Sequence, residues 1–569
     1  MEGYKFLGNK GMNIQKKHYT RQGIALIAAM IFIVVFAAIS IGFLSLSSAN
    51  TQIADNHRAS NSAFNAALSG LDCARYLLVK AYKSTPASSK SISNIVTTEE
   101  AKWMWNNIYT QLCAKLTAAS NLGSTSVTKV NNSSIGVGYI IISGVQYQSS
   151  GSTFTIRFYR PAGNTNIYIT CTGTDGTISR TVGTSVGITK PKLNYSFAGR
   201  GRVWLAGDTT IHGDVYSLYG RKSNGSLQSL SPFNMTSDSK IEGTFNTILT
   251  KTEIDNADYY QFETLDADGN PTYAADDELQ GEYKGVNYGA SASDFAGMDI
   301  GDYDTSSYKS AIPATTVSAS GSTISGGILS KSGVSKTTEY FPHNAGDYSH
   351  GPSGSLKLTR YTYSNKTISN VTVSAGTNAL FDGCTFNGVL YIDCSTSGPT
   401  YTNSSTFNNI RFNNCTFNGT IITNVPASLT PNWWMANNLY FTGAATFQNN
   451  SGIEEATILA PHFNVNLGNT NADTSNNTLT GVIVGGIVDV RGNANIEGTI
   501  ISMADTSSYS SGYVSNIGAT LGDGGSETTD ISDIGTISIT PNPDGTLPYG
   551  IKTPVVLNLS SFTANYKEN

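Results

Sequence analysis

The side chains able to do chemistry are few and scattered. Asp266-Ala267-Asp268-Gly269-Asn270 sets carboxylates and a carboxamide at alternate positions, with Asp277 at the twelfth position of the same window. Oxygen ligands at that spacing can hold a hard cation such as calcium. The glycine stands fourth in the window rather than sixth, so it departs from a helix–loop–helix calcium loop, and Asp-Gly equally suits an ordinary turn. His343 and His350 are seven apart in a Pro- and Gly-bearing loop, poor spacing for a metal pair. Asp489 and Arg491 alternate and would share one strand face, which reads as a solvated pair. Glu454 and Glu455 are adjacent, so on a strand they point to opposite faces and cannot form an acid–base dyad. There is no Walker loop, no GxSxG and no HExxH. Trp433-Trp434, within PNWWM, can stack on sugars, anchor a protein partner or close one side of the fold as a hydrophobic lid. These residues lead us to expect no enzymatic activity, no cofactor and no metal beyond the weak calcium candidate.

Six cysteines in 569 residues (Cys73, Cys113, Cys171, Cys384, Cys394 and Cys415) are too sparse for a disulfide framework. Cys73 and Cys113 fall on two expected helices of one small domain and can pair or stand as buried free thiols. Cys384 and Cys415 open two copies of an internal repeat and are expected to stack. No CxxC is present, which argues against zinc.

Charged residues are only 13% of the chain and the formal net charge is −5. An acidic chain with so few Lys and Arg is a poor candidate for nucleic acid. Length alone predicts several domains.

The element dominating the N-terminal region is apolar. Lys5, Lys10, Lys16, Lys17 and Arg21 face a single acid, Glu2, and from Ile24 to Ala54 no residue is charged. The run from Ile24 to Leu46 spans roughly 35 Å as a helix, enough to cross a bilayer. It is longer than the apolar core of an ordinary signal peptide, although Ser47-Ser48-Ala49 keeps a small-x-small cleavage open. The basic flank places the N-terminus in the cytoplasm. The helical pattern continues: Ile53, Ala63, Phe64, Ala67, Leu68, Leu71, Ala74, Leu77 and Leu78 recur at three- and four-residue steps. One helix over 24–82 is therefore expected, with Gly70 costing about 1 kcal/mol against Ala.

A basic leader, Gln22-Gly23, a charge-free helix and Ala63-Phe64-Asn65-Ala66-Ala67-Leu68-Ser69-Gly70-Leu71 resemble the N-terminus of type IV pilins, most closely the PilX-type minor pilins. The resemblance covers roughly residues 15–80. It implies prepilin peptidase cleavage between Gly23 and Ile24, a new N-terminus that is methylated, and packing of the helix in a filament through Ala28, Phe32, Phe36, Phe64, Leu68 and Leu71. Removing the leader would take the net charge from −5 to about −9. Ala28 stands where major pilins carry Glu, and Leu68 where relatives often carry another Glu. That absence suits a low-copy or tip subunit rather than a repeating shaft. The implied partners are other pilins and minor pilins, the prepilin peptidase, the inner membrane and host or surface glycans. The implied location is the inner membrane before assembly, then an extracellular filament or the cell surface.

The rest of the chain changes period twice. Thr97-Thr98-Glu99-Glu100 reads as a capping box opening a second helix with Ala101, Met104, Trp105, Ile108, Leu112 and Leu116 on one face. From Ser126 the alternation predicts antiparallel strands at 138–142, 153–159, 167–172 and 178–186. After Lys190 a Gly-centred motif recurs at 209–217, 239–247, 322–330, 384–392, 415–423, 477–485 and 494–502. Unequal spacing points to stacked coils with variable loops. The copies at Cys384 and Cys415 lie 31 residues apart, so Phe386 should stack on Phe417, and Asn387 should form an amide ladder with Asn418.

The expected fold is thus α+β followed by all-β. The leader occupies 1–23, the pilin helix 24–82, and a pilin-like head with an antiparallel sheet 83–190. A right-handed parallel β-helix follows at 191–540, interrupted by an insertion at about 251–320, with a C-terminal cap at 541–569. The expected function is a minor pilin or pseudopilin that primes or caps filament assembly and displays the β-helix, with adhesion as its task. Runners-up are a membrane-anchored β-helix adhesin and a carbohydrate-active β-helix enzyme.

Overall fold

The computed structural model describes residues 19–568 except 94, 119–124, 149–150, 194, 258, 292–296, 341–356, 396–405, 428, 430–436, 449–455, 468–475, 506–513, 519–534, 542–547 and 565–566. The basic leader before Tyr19, His343, His350, Trp433, Trp434, Glu454 and Glu455 therefore lie outside the described residues. The chain divides into two compact units. One comprises residues 1–85, 105–187 and 559–569; the other comprises 86–104 and 188–558.

In the first unit a single helix, α1 (Tyr19–Lys83), runs 65 residues without a break. A second helix, α2 (Thr98–Ala118), belongs to this unit from Trp105 onward, its start to Met104 being assigned to the other. It begins at the expected capping box: Glu100 Oε2 accepts from the Thr97 amide at 2.9 Å, and Thr97 Oγ1 accepts from the Glu100 amide at 3.3 Å. All six residues expected on its apolar face are buried. Trp105 also satisfies its indole N–H, which donates to Asn131 Oδ1 at 3.0 Å.

Five strands follow: β1 (Ser126–Asn132), β2 (Val137–Tyr147), β3 (Ser152–Arg160), β4 (Asn166–Asp175) and β5 (Ile178–Thr189). They pair antiparallel in chain order. Alternation buries Ile140, Ile142, Phe154, Ile156, Phe158, Ile167, Ile169 and Cys171 on one face.

The expectation that the last residues cap the repeat needs correction. Lys567 and Glu568 pair antiparallel with Gly183 and Val182 of β5, within this first unit. The Phe562 carbonyl accepts from Thr184 Oγ1 at 2.9 Å and from the Arg75 guanidinium at 3.1 Å. The edge of β5 needs hydrogen-bond partners, and the chain's last residues supply them.

The second unit is mainly a parallel sheet whose rungs repeat the Gly-centred motif. Thr385–Ile392 and Thr416–Thr423 pair residue for residue, with Phe386 opposite Phe417 and Gly388 opposite Gly419. A second ladder runs through Ala379–Asp382, Asn409–Asn413, Asn438–Thr442 and Ala456–Leu467. Between them the phenylalanines form two columns. Phe386, Phe417 and Phe447 stack at 4.9 and 4.3 Å, while Tyr363, Phe381, Phe412 and Phe441 stack at 5.0, 5.4 and 5.0 Å. The columns meet edge to face, a geometry worth about 0.5–1.5 kcal/mol per pair beyond area burial. Asn418 Nδ2 donates to Asn387 Oδ1 at 2.9 Å, forming the amide ladder.

The motif glycine has a steric reason. A Cβ on Gly419 would stand 1.8 Å from the Gly388 carbonyl oxygen, so no side chain fits between neighbouring rungs there.

The rungs do not stack in chain order. Asn493–Ser502 pairs with Ile537–Thr540, and Ile537–Thr540 pairs in turn with Thr209–Ile211. Ile500–Ser502 likewise pairs with Phe197–Gly199. The first rungs of the unit therefore lie against the last, in the interior of the ladder. From there the ladder grows one way through Phe233–Met235 and Phe245–Thr247 to Val286–Tyr288. The other way it passes through Asn476–Val490 and the phenylalanine rungs to Thr323–Leu329. Ile537–Thr540, at the end of the stretch expected to form the repeat, is itself a rung with a neighbour on each side. The expected insertion is also shorter than read: Leu279 and Glu282 bridge to Met235 and Lys240, and Val286–Tyr288 forms a rung.

Candidate functional site

The seam that fixes α1 to its sheet is built from small residues. Ala63, Ala66, Ala67, Leu71, Ala74, Leu78 and Ala81 are buried along one helix face. Two glycines set the approach distance. A Cβ on Gly70 would stand 2.2 Å from Cys171 Sγ and 2.6 Å from Phe154 Cδ2. A Cβ on Gly173 of β4 would stand 1.9 Å from the Ala63 carbonyl oxygen. The helix and sheet backbones are thus nearly in contact, so Gly70, a weak point by helix propensity, is required by packing.

N-terminal to that seam the same helix is uncovered by the described residues. Every residue from Gly23 to Arg58 is exposed, and Ile24, Phe32 and Phe36 are 70, 63 and 65% exposed. The segment's mean hydropathy peaks at 3.0, and α1 is long and apolar enough to cross a membrane. Gly23 and Ile24 lie within the helix, and a Cβ on Gly23 would meet nothing within 4 Å. Of the residues expected to pack against other subunits, Ala28, Phe32 and Phe36 are exposed and Phe64 and Leu68 half-buried. Leu71 is 1% exposed, because it faces the chain's own sheet, so it is removed from any surface offered to a partner.

The remaining candidate groups are tied into local structure. Asp266 Oδ1 accepts from the amides of Asp268 and Asn270 at 2.9 and 2.8 Å, and these hydrogen bonds, the Asn270 amide first, hold its carboxyl below the ordinary value. The Asn270 carboxamide also donates to Asp266. Asp277, 2% exposed, accepts from the Thr264 amide and hydroxyl at 3.1 and 2.9 Å. The loop is an Asp-Gly turn joining the short strands Thr264–Leu265 and Pro271–Thr272. Among the described residues no three His, Cys, Asp or Glu side chains come together to hold a metal.

All six cysteines carry free thiols. Cys73 and Cys113 are not joined. Burial raises the Cys73 thiol, and Cys73 in turn lies close enough to Cys171 to add to the burial that pushes that thiol up to about 12. Cys113 sits instead beside Tyr109 and Lys129. Asp489 and Arg491, expected as a solvated pair, are 0 and 1% exposed; Asp489 Oδ1 accepts from the Asn516 amide at 3.0 Å. The neighbouring parallel rungs cover that face, which alternation alone does not reveal.

The second unit also holds a buried ion pair that the sequence does not announce. Lys190 Nζ lies 2.6 Å from Glu100 Oε1, with side chains 5 and 11% exposed. It also donates to Ser91 Oγ at 3.0 Å and the Thr553 carbonyl at 3.2 Å. Burial alone would raise the Glu100 carboxyl, but the bonds from Lys190, the Thr97 amide and Ser91 outweigh it and leave the group below its ordinary value. A capping-box Glu is normally exposed, and no local sequence signal marks Lys190 as its partner, because the strand before it is Ser- and Thr-rich and Lys192 follows two residues later.

No family model matches the sequence and no curated protein matches it. Among solved structures, the competence-associated pilin ComZ from Thermus thermophilus aligns over 90% of this chain and 98% of its own, at 12% identity and a TM-score of 0.24. That score is too low to carry an argument about function, which has to come from the chain's own residues.

Proposed function

We propose that the protein is a membrane-inserted, pilin-like minor subunit that carries a large parallel β-helix to the cell surface. The observation carrying this reading is the two-part helix: one continuous α1 whose first half is apolar and unpartnered while its second half is locked to a sheet by Ala and Gly. A plain membrane anchor needs only the first half. A filament subunit needs both, because force on the exposed half must pass rigidly into the folded domain.

In this reading Gly23-Ile24 is the prepilin peptidase site, and Ala28, Phe32 and Phe36 pack against neighbouring pilin helices. The unpartnered helix is held by the inner membrane until assembly. Ala28 offers no carboxylate to a preceding subunit's amine, which favours a priming or capping position. The second unit acts by display and adhesion rather than catalysis; its parallel ladders, Gly-on-Gly rungs and phenylalanine columns support the β-helix reading. The test is fractionation of sheared surface filaments from cells carrying wild type or Gly23→Leu. Wild type is expected with the filaments and the variant in the membrane; equal recovery of both in filaments, or wild type confined to the membrane, would sink the reading.

A further inference from the structure

A cavity of about 270 Å³ lies on the second unit where the rungs at Trp204, Asn234 and Glu278 meet the segment around Tyr260 and Asp276. Trp204 pairs in register with Asn234, and the Met235 amide donates to the Glu278 carbonyl at 2.8 Å, so these three side chains form one outward row. Tyr260 also lines the cavity and is 72% exposed, the most exposed large aromatic among the described residues. Two aromatic rings in a lining that also holds amide and carboxylate groups present flat apolar faces beside hydrogen-bond acceptors.

The polar groups are fixed in advance. Buried Arg202 donates to Asn234 Oδ1 at 2.6 Å, which leaves the Asn234 amide N–H to donate to Glu278 Oε2. Glu278, a lining residue of the cavity, is thereby oriented through one carboxylate oxygen. Burial lifts its carboxyl above the ordinary value against the pull of Arg202. Asp276 and Gln280 add an exposed acceptor and a carboxamide on the same lining.

We infer that this cavity binds a neutral pyranose unit of a glycan chain, its C–H face stacked on Trp204 and Tyr260 and its hydroxyls donating to Glu278 and Asp276. Drug-sized ligands fill roughly 300–1,000 Å³, so the smaller volume here suits a single ring. The carboxylates disfavour an acidic sugar, and no cation is among the lining residues; Arg202 is buried, donating to the Ser231 carbonyl and Asn234 Oδ1. A divalent cation is disfavoured by the absence of any three-ligand cluster among the described residues.

The inference deepens the surface-display reading by naming the ligand class, but binding does not require filament assembly. The full chain, in a sugar-free detergent, is tested on an array of neutral and acidic oligosaccharides, and hits are titrated by calorimetry with and without EDTA. Expected are neutral hits unaffected by EDTA, weakened at least tenfold by Tyr260→Ala and by Asp276→Asn. Tyr260 is exposed, so its truncation leaves the fold intact; Trp204→Ala should act likewise, with circular dichroism reporting whether it folds. No neutral hit, a preference for acidic glycans, EDTA-sensitive binding, or binding unchanged in Tyr260→Ala would overturn the proposal. Failure here leaves the membrane and filament reading standing, since that is tested at Gly23.

Discussion

The glycine seam makes a prediction in which two effects oppose each other. Gly70→Ala should gain about 1 kcal/mol from helix propensity alone. The new methyl would stand 2.2 Å from Cys171 Sγ and 2.6 Å from Phe154 Cδ2, both side chains of a packed sheet face. Overpacking of this kind costs about 1–3 kcal/mol. The net is a loss of up to about 2 kcal/mol, and the sign distinguishes packing from propensity. Gly173→Ala should be worse, because its obstacle is backbone, the Ala63 carbonyl at 1.9 Å, which cannot rotate away. Cys171→Ala should partly rescue Gly70→Ala and leave Gly173→Ala unrescued, a coupling a double-mutant cycle isolates. The chain has two units, so a single melting curve is a poor readout. Hydrogen exchange of α1 peptides over residues 60–80 reads the seam locally. A loss of 1–2 kcal/mol would appear as about 5–30-fold faster exchange. Slower exchange in Gly70→Ala than in wild type would refute the close-packing argument.

Two further outcomes concern the second unit. Phe417→Ala empties the centre of a phenylalanine column and should cost about 3–5 kcal/mol, seen as faster hydrogen exchange of peptides over residues 416–423. The Glu100–Lys190 pair sets an acid sensitivity. Because the folded carboxyl lies below its unfolded value, its contribution is present above the unfolded pKa and is lost as pH falls through the folded one. Glu100→Gln should flatten that acid limb below about pH 4.3, the unfolded Glu value, and cost about 3–5 kcal/mol at neutral pH by leaving Lys190 buried without its counter-charge. An unchanged acid limb in the variant would contradict the assignment.

Local signals are legible in the chain where one residue type dictates one geometry. The capping box at Thr97, the apolar face of α2, and the Phe386–Phe417 and Asn387–Asn418 stacks come from spacing alone. Partners are less legible than faces. The helical stripe containing Leu71 marks a buried side but not what buries it, so spacing leaves Leu71 open to other subunits when its own sheet covers it. The order of rungs is illegible for a related reason. Each Gly-centred motif offers the same edge to any neighbour, so nothing local distinguishes a sequential stack from one in which Thr209–Ile211 lies beside Ile537–Thr540. Asp489 and Arg491 look like surface charges until the neighbouring rungs are in place. The cavity at Trp204 is hidden because its walls come from residues far apart in sequence, several of them inside the stretch expected to be an insertion.

The central claim, that α1 is a pilin-type helix released from a leader at Gly23, is tested most directly by mass spectrometry of the native N-terminus. The protein is isolated from host cells with and without the prepilin peptidase. The account predicts a chain beginning at N-methylated Ile24 only when the peptidase is present. An intact leader in both strains, or a start at Asn50, would contradict it.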